Sequence, residues 1–253
     1  MEDEGDPLVS GGRLHRFPDA ESVAHAGADA FVAEARASIA SRGAFRVLLS
    51  GGSTPKRMLE ILAEQIDRAP LDWNDVRFFF GDERAVGPDA SDSNFRMASQ
   101  ALLDAIPEAA RHVERARGEA PDLHEAAAAY ARRMAEVFGG PSEPLPAFDL
   151  VFLGMGDDGH TASLFPGTKA LDETTRGYVA NEVPQLGTWR LTATYPLLAR
   201  ARRALFLVCG AGKRARMAEI TRQDRAPASF HPCERVRTAG RLDWFVDEAA
   251  LPG

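Results

Sequence analysis

Cysteine is scarce in this 253-residue chain, which contains only Cys209 and Cys233. Neither residue lies in a Cys-x-x-Cys pair or in a cluster with histidine. A disulfide framework and a cysteine-based zinc site are therefore not expected. Two reduced thiols are the simplest interpretation, and we expect no metal site.

Long apolar runs and an excess of basic residues are also absent. No stretch approaches the roughly 18 apolar residues that a membrane span requires. Residues 1–12 are acidic and glycine-rich, unlike the basic start and apolar centre of a signal peptide, which favours a cytoplasmic location. The net charge of −7 argues against nucleic acid as a partner, and nothing indicates an obligate protein partner. An acidic chain can still bind phosphate where a few basic side chains converge.

Apolar segments alternate with amphipathic ones along the chain, which predicts an α/β fold. We expect strands at 45–50, 76–80, 148–154, 190–194, 204–209 and 242–246. We expect helices from about Asp19 to Gly43 and at 55–66, 93–104, 123–137 and 212–222. Several strands are apolar throughout, as is typical of a mostly parallel sheet covered on both faces. Residues 13–253 are expected to form one catalytic domain, after a disordered tail at 1–12, with a surface connection at 139–146.

Ligands of such folds bind beyond the carboxyl ends of the strands, so the loops that follow strands carry the functional prediction. The first of these loops consists of Ser50, Gly51, Gly52, Ser53, Thr54 and Pro55. Its glycines allow a ligand to approach the backbone, and the amides at the start of the following helix can bind an anion. The alternative is a simple tight turn with a Ser/Thr cap.

The second loop follows the next strand and reads Gly81-Asp82-Glu83-Arg84. Asp82 could orient a base or a sugar hydroxyl, and the Arg84 guanidinium could bind an anion. A solvated charged turn is the alternative interpretation.

The third loop runs from Gly154 to Pro166 and contains a formal G-x-G-x-x-G pattern. A dinucleotide site is rejected, because adjacent carboxylates would repel a pyrophosphate and Pro166 would end the crossover helix too early. The loop instead presents Asp158 and His160. Histidine suits general-base work near neutral pH, so we predict that His160 is catalytic.

Two cations complete the candidate set. Arg190 lies on the RLTAT strand, and Lys213 lies where a helix begins after a strand. An ammonium and helix amides could hold one phosphate together. The alternative for each is a surface cation.

The three loops, in this order and spacing, resemble those of the 6-phosphogluconolactonases. The motifs are SGGSTP, GDER followed by SDSNFRMA, and GMGDDGHTASLFPGT, of which GHTASLFPG is the most specific. RLTATYPLLARARRALFLVCGAGKRARM resembles the family's next segment, and the similarity runs from about residue 13 to the end. The resemblance implies a Rossmann-like three-layer sandwich with a mostly parallel sheet, of the glucosamine-phosphate isomerase type.

The resemblance also implies an activity, the hydrolysis of 6-phospho-D-glucono-1,5-lactone to 6-phospho-D-gluconate without a cofactor. This is the second step of the oxidative pentose phosphate pathway. His160 would take a proton from the attacking water, and Asp82 or Asp158 would hold its imidazole. The predicted substrate-binding residues are Ser50, Gly51, Gly52, Ser53, Thr54, Arg84, Gly159, Arg190 and Lys213.

Glucosamine-6-phosphate deaminases share this fold type, but their loops usually read like DEY and GHIAFNEP. The chain departs from the lactonase pattern at one place, where a Pro-Lys-Pro run is often found and Val183-Pro184-Gln185-Leu186 stands here. Another cation must therefore compensate, or phosphate binding is weaker.

Other functions remain open at this stage. They are a deaminase or isomerase that uses Asp82 for proton abstraction, and a non-catalytic sugar-phosphate sensor. A serine hydrolase lacks its G-x-S-x-G elbow. A metal site built from Asp82, Glu83, Asp157 and His160 lacks a recognised ligand spacing.

Overall fold

The computed structural model describes residues 5–66, 71–140 and 145–253. Its strands are β1 Asp6–Pro7, β2 Arg13–Phe17, β3 Phe45–Leu49, β4 Val76–Phe80, β5 Asp82–Arg84, β6 Leu150–Leu153, β7 Tyr178–Val183, β8 Thr188–Ala193, β9 Arg203–Val208 and β10 Arg241–Asp247. Its α-helices are α1 Ala20–Arg42, α2 Ser53–Glu64, α3 Asn94–Ala101, α4 Leu123–Val137, α5 Tyr195–Leu198 and α6 Arg214–Ile220. No helix in these ranges is both long and apolar enough to cross a membrane.

The main sheet has seven strands in the order β1-β2-β10-β9-β6-β3-β4. From β2 to β4 every neighbouring pair is parallel, and only β1 runs antiparallel to its neighbour β2. The prediction of a mostly parallel sheet is confirmed. Parallel pairing also places the carboxyl ends of β9, β6, β3 and β4 side by side at one edge.

Successive residues of the central strands pack on opposite faces of this sheet, because strand side chains alternate. Leu48, Phe79 and Phe206 belong to one apolar cluster, which also contains residues of α4 and α6. Their neighbours Val47 and Phe78 belong to a second cluster with residues of α1, α2 and α3. Helices therefore cover both faces, and the predicted three-layer sandwich is confirmed.

A small antiparallel sheet, in the order β5-β8-β7, follows the end of β4. The strand predicted at 190–194 is present as β8, but it pairs with β5 and β7 rather than with the main sheet. The pairing sets Arg84 opposite Arg190 and Asp82 opposite Thr192. This second sheet was not predicted, and it connects the second loop to the strand that carries Arg190.

The helix ends follow the predicted signals. Asp19 caps α1 by accepting a hydrogen bond from the Ser22 N–H at 2.8 Å, and Gly43 ends the helix with a φ of 72°. α4 is present at the predicted residues. The helix predicted at 93–104 is present but shorter, as α3. The helix predicted at 212–222 is present as a 3₁₀ turn, Ala211–Lys213, followed by α6.

The prediction of a disordered tail is wrong for residues 5–12. Asp6–Pro7 pairs with β2, and the side chains of Leu8 and Ser10 are buried. The acidic, glycine-rich composition gave no sign of this contact, because one buried apolar residue and a two-residue edge strand leave almost no pattern. Residues 1–4 lie outside the described ranges, as do residues 141–144 of the expected connection at 139–146.

Candidate active site

The loops after β3, β4, β6 and β9 meet in one cleft with a volume of about 250 Å³. Its walls are formed by Ser50, Gly51, Gly52, Ser53, Thr54, Pro55, Asp82, Arg84, Gly154, Met155, Gly156, His160, Ala162, Leu207, Cys209 and Lys213. The structure thus brings together nine of the predicted site residues. The other three, Asp158, Gly159 and Arg190, are not among the residues that line it.

The first loop leads into the helix α2, whose amino terminus has no side-chain cap. Gly52 occupies the N-cap position with a φ of 112°, offers no side chain, and is followed by no acidic residue in the first turn. By contrast, α1 and α4 each begin with an aspartate that accepts a backbone N–H. The first amides of α2 therefore remain available to an anion in the cleft.

Gly51 is required by close packing against Asn94. A Cβ at this position would lie 2.0 Å from the Asn94 Oδ1 atom. The Asn94 Nδ2 group in turn donates to the Asp82 carbonyl at 2.9 Å and to the Asp82 Oδ1 atom at 3.1 Å. The first and second loops are thereby held against each other.

Asp82 is 7% exposed, and both of its carboxylate oxygens have protein donors. Asn94 binds Oδ1, and the Ser163 hydroxyl donates to Oδ2 at 2.7 Å. Ser163 belongs to the third loop, so Asp82 connects the second and third loops. Its oxygens contact these donors rather than the imidazole of His160.

Glu83, the next residue, caps the helix α3. Its buried carboxylate accepts the backbone N–H groups of Arg84, Asn94 and Phe95 at 2.8–2.9 Å and the Ser93 hydroxyl at 3.1 Å. Burial raises the pKa of Glu83 despite these hydrogen bonds. Glu83 thus shapes the loop and is not available for a metal or a substrate.

Two guanidinium groups stand opposite each other across β5 and β8. Arg84 lines the cleft and donates to the Asp92 carbonyl, while its buried Nε group has no hydrogen-bond partner among the described residues. Arg190 is half-buried and donates to the Thr188 hydroxyl at 3.1 Å and the Trp189 carbonyl at 3.0 Å. Burial, and then the charge of Arg84, lower the pKa of Arg190. Neither guanidinium forms an ion pair with a carboxylate of the described residues, which leaves positive potential for an anion.

His160 reaches the cleft from the third loop in a fixed orientation. Its Nδ1 atom lies 2.6 Å from the Asp158 Oδ1 atom, and its ring stacks on Phe165 with the centroids 4.0 Å apart. The Asp158 carboxylate also accepts the His160 backbone N–H at 3.0 Å. Partial burial would raise the pKa of Asp158, but these hydrogen bonds from His160 hold it below its usual value. Asp158 is therefore the carboxylate that contacts the imidazole, and Asp82 is not.

The glycines of the third loop make room for this arrangement. A Cβ at Gly156 would lie 2.0 Å from the His160 Nδ1 atom, whereas a Cβ at Gly154 would meet nothing closer than the Ser50 Oγ atom at 3.9 Å. Gly159 has a φ of 82°, and its Cβ would lie 2.6 Å from the His231 Cβ atom. Gly159 thus allows close packing on His231 behind the cleft.

The remaining wall carries Lys213 and Cys209. The Lys213 ammonium donates to the Asp157 Oδ1 atom at 2.5 Å and lies at the amino end of α6. Burial raises the pKa of the Cys209 thiol to about 11, so the thiol is protonated at neutral pH and is a poor nucleophile. Gln185, where relatives often have lysine, is exposed and donates to the Pro166 carbonyl at 3.3 Å, outside the cleft walls.

Within the described ranges, no three His, Cys, Asp or Glu side chains are grouped so that they could hold a metal ion. Three of the four residues considered for such a site bind other protein groups. Glu83 caps α3, Asp157 binds Lys213, and Asp82 is held by Asn94.

Sequence reasoning missed Asn94, Ser163 and Phe165 as contributors to the site. All three lie inside motifs that resemble the lactonases, SDSNFRMA and GHTASLFPG, which was the available signal. The contacts of Asn94 and Ser163 with Asp82 could not be predicted, because they join segments 12 and 81 residues apart in the chain. Phe165 contacts His160 within the third loop, where only the fold of the loop brings the two rings together.

The fold and the cleft define a Rossmann-like α/β protein with a basic cleft at the carboxyl ends of its strands. The chain belongs to the family of glucosamine-6-phosphate isomerases and 6-phosphogluconolactonases, whose model matches residues 18–244.

Two relatives and one solved structure illustrate this similarity. The chain is 41% identical over 212 residues to a 6-phosphogluconolactonase of Synechocystis sp., covering 84% of this chain and 85% of the relative. It is 35% identical over 234 residues to a 6-phosphogluconolactonase of Nostoc sp., covering 92% and 95%. The structure of 6-phosphogluconolactonase from Trypanosoma cruzi superposes with a TM-score of 0.82 at 29% identity, covering 97% of this chain and 96% of that one.

Proposed function

We propose that this protein hydrolyses 6-phospho-D-glucono-1,5-lactone to 6-phospho-D-gluconate, the second step of the oxidative pentose phosphate pathway. The relatives from Synechocystis and Nostoc both carry the lactonase name, which disfavours the deaminase alternative. One domain spanning residues 13–253 would carry the activity, in keeping with the family match over 18–244.

One observation carries the proposed chemistry. A histidine held by a carboxylate shares a cleft with an uncapped helix amino terminus and with Arg84. The histidine and its carboxylate can move a proton, and the helix amino terminus with Arg84 can hold an anion. A lactone that carries a phosphate needs both at once.

The proposed base is His160, acting through its Nε2 atom. The Nδ1–H group donates to the Asp158 carboxylate, which leaves the Nε2 lone pair free for water. As water attacks C1 of the lactone, Nε2 takes a proton and a bond forms between the water oxygen and C1. The bond between C1 and the ring oxygen then breaks, and the ring oxygen takes the proton from Nε2. The products are an open-chain hydroxyl and a carboxylic acid that loses its proton to solvent.

The proposed phosphate site lies at the amino terminus of α2, with Ser53 and Thr54 at its start. Arg84 supports the site with a buried Nε group that has no hydrogen-bond partner in the part of the chain that the structure describes. Arg190 adds positive charge from the adjacent strand, and Lys213 lines the same cleft. These cations offer the compensation that Gln185 makes necessary.

We expect the purified protein to prefer the phosphorylated lactone strongly over glucono-1,5-lactone. Charge-assisted hydrogen bonds contribute about 1.5–3 kcal/mol each, so losing two of them lowers kcat/KM by roughly 100-fold or more. The measurement is the initial rate on each freshly prepared lactone, corrected for spontaneous hydrolysis, with glucosamine 6-phosphate as a further substrate.

Two variants sharpen this test. Arg84→Met should lose part of the preference through a raised KM, because it removes a cation from the cleft. Arg222→Met is the matched control, since Arg222 forms an exposed ion pair with Asp224 away from the cleft. Equal rates on the two lactones would contradict the phosphate site, and turnover of glucosamine 6-phosphate alone would contradict the proposed function.

A further inference from the structure

Lys213, a residue of the cleft wall, already has a counter-ion. Its ammonium lies 2.5 Å from the Asp157 Oδ1 atom, and its side chain is 25% exposed. Asp157 is 74% exposed and stands outside the residues that form the cleft walls. The cation that faces the proposed phosphate site is therefore bound to a carboxylate that itself faces solvent.

The backbone of Asp157 is held independently of this ion pair. Its carbonyl accepts a hydrogen bond from the Arg216 Nε group at 3.3 Å, and the next residue, Asp158, is bound to His160. Only the carboxylate of Asp157 is committed to Lys213. It can turn toward solvent without moving the loop that carries the base.

A phosphate beside Lys213 would stand close to this carboxylate. Like charges repel, and the low-dielectric wall of a cleft strengthens the repulsion. An exposed ion pair is weak, so a phosphate that also binds the α2 amides can displace the carboxylate. Displacing the carboxylate costs free energy, however, and this weakens the net binding of the phosphate.

We propose that Asp157 competes with the substrate phosphate for Lys213 and thereby sets the phosphate affinity of the cleft. This inference rests on the proposed function, in which Lys213 helps to anchor the phosphate. The product carries the same phosphate as the substrate, so the competition weakens the binding of both. A cleft without the competing carboxylate would hold its product longer.

The test is the affinity of purified variants for inorganic phosphate and for 6-phosphogluconate, measured by calorimetry at low ionic strength. Asp157→Asn should tighten both affinities about two- to fivefold, which is the range expected for an exposed ion pair. High salt should reduce this difference, because exposed charges are screened. Asp224→Asn is the matched control, since it removes one carboxylate from an exposed ion pair with Arg222 and should leave both affinities unchanged.

Lys213→Met separates the failure of this inference from a failure of the proposed phosphate site. Lys213→Met alone should weaken phosphate binding, and adding Asp157→Asn to it should have little further effect. If Lys213→Met leaves phosphate affinity unchanged, the anchoring role of Lys213 and this inference are both wrong. If Lys213→Met weakens binding but Asp157→Asn weakens it as well or does nothing, only the competition is wrong, and Asp157 instead positions Lys213 or is inert.

Discussion

Replacing His160 with alanine is expected to lower kcat for the phosphorylated lactone by about 10²–10⁴-fold, the usual contribution of a positioned general base. The reason is geometric as well as chemical, because the ring is held by Asp158 at 2.6 Å and by the Phe165 face. The other candidate proton acceptors among the described cleft residues are not available in this way. Both Asp82 oxygens have donors, and Cys209 is protonated.

The same variant should keep its fold and its product affinity. The imidazole contacts Asp158 and Phe165 of its own loop, so its loss should leave the sheet and the helices intact. Circular dichroism and the dissociation constant for 6-phosphogluconate therefore serve as controls. A His160→Ala protein that binds product normally and retains near-wild-type kcat would refute the assignment, and Asp82 would become the leading candidate for the base.

Gly156→Ala should also lower the rate strongly, although it removes no functional group. The new methyl group would lie 2.0 Å from Nδ1 and 2.1 Å from Cε1 of His160, so the ring must leave Asp158 and Phe165. Misplacing a catalytic group by about 1 Å can cost about 100-fold in rate. We expect kcat to fall by roughly that factor while KM changes little, since the new methyl group meets His160 and Asp158 rather than the proposed phosphate-binding residues.

Gly154→Ala is the control for this effect. It introduces the same methyl group at the end of the same strand, but its nearest neighbour is the Ser50 Oγ atom at 3.9 Å. The rate loss should be at least about tenfold smaller than for Gly156→Ala. Equal losses in the two variants would mean that the loop tolerates no alanine for a reason unrelated to the histidine.

The sheet was predictable because its strands are short apolar runs with clear ends. FRVLL, VRFFF and ALFLV are buried except for the partly buried Arg46 and Arg77. Ser50, Gly81 and Cys209 follow them directly and begin loops of the cleft. The rule that parallel strands present their carboxyl ends together then placed Ser50, Asp82 and His160 at one edge. The family resemblance and this rule agree.

The partners of the site residues could not be predicted, because they depend on contacts between distant loops. Two carboxylates, Asp82 and Asp158, were equally plausible partners for His160 from the sequence. The structure separates them because Ser163 and Asn94 occupy Asp82. The role of Glu83 was equally hidden, since it caps a helix that begins eleven residues later, which leaves no local sequence pattern.

The small antiparallel sheet was missed for a related reason. β5 has only three residues, Asp82–Arg84, all of them charged, so the segment resembles a turn. Its strand character comes from pairing with β8, more than 100 residues later in the chain. That pairing brings Arg190 next to Arg84.

The pH dependence of lactone hydrolysis, in the wild type and in Asp158→Asn, tests the proposed base and its carboxylate partner together. Hydrogen bonds hold the pKa of Asp158 below its usual value, so its carboxylate is charged throughout the range in which a histidine titrates. A charged carboxylate favours the imidazolium, so its removal should move the midpoint of the rise in kcat/KM to lower pH. It should also lower the plateau, because the amide no longer fixes the tautomer with Nδ1 protonated.

The most direct measurement is therefore kcat/KM for freshly prepared 6-phosphogluconolactone from about pH 5 to 8, the range in which histidine changes charge, after subtraction of the spontaneous rate. We predict that the wild type rises through a single ionisation to a plateau, and that Asp158→Asn rises at lower pH to a lower plateau. Catalysed hydrolysis that is independent of pH, or identical profiles for the two proteins, would contradict general-base catalysis by His160 held by Asp158.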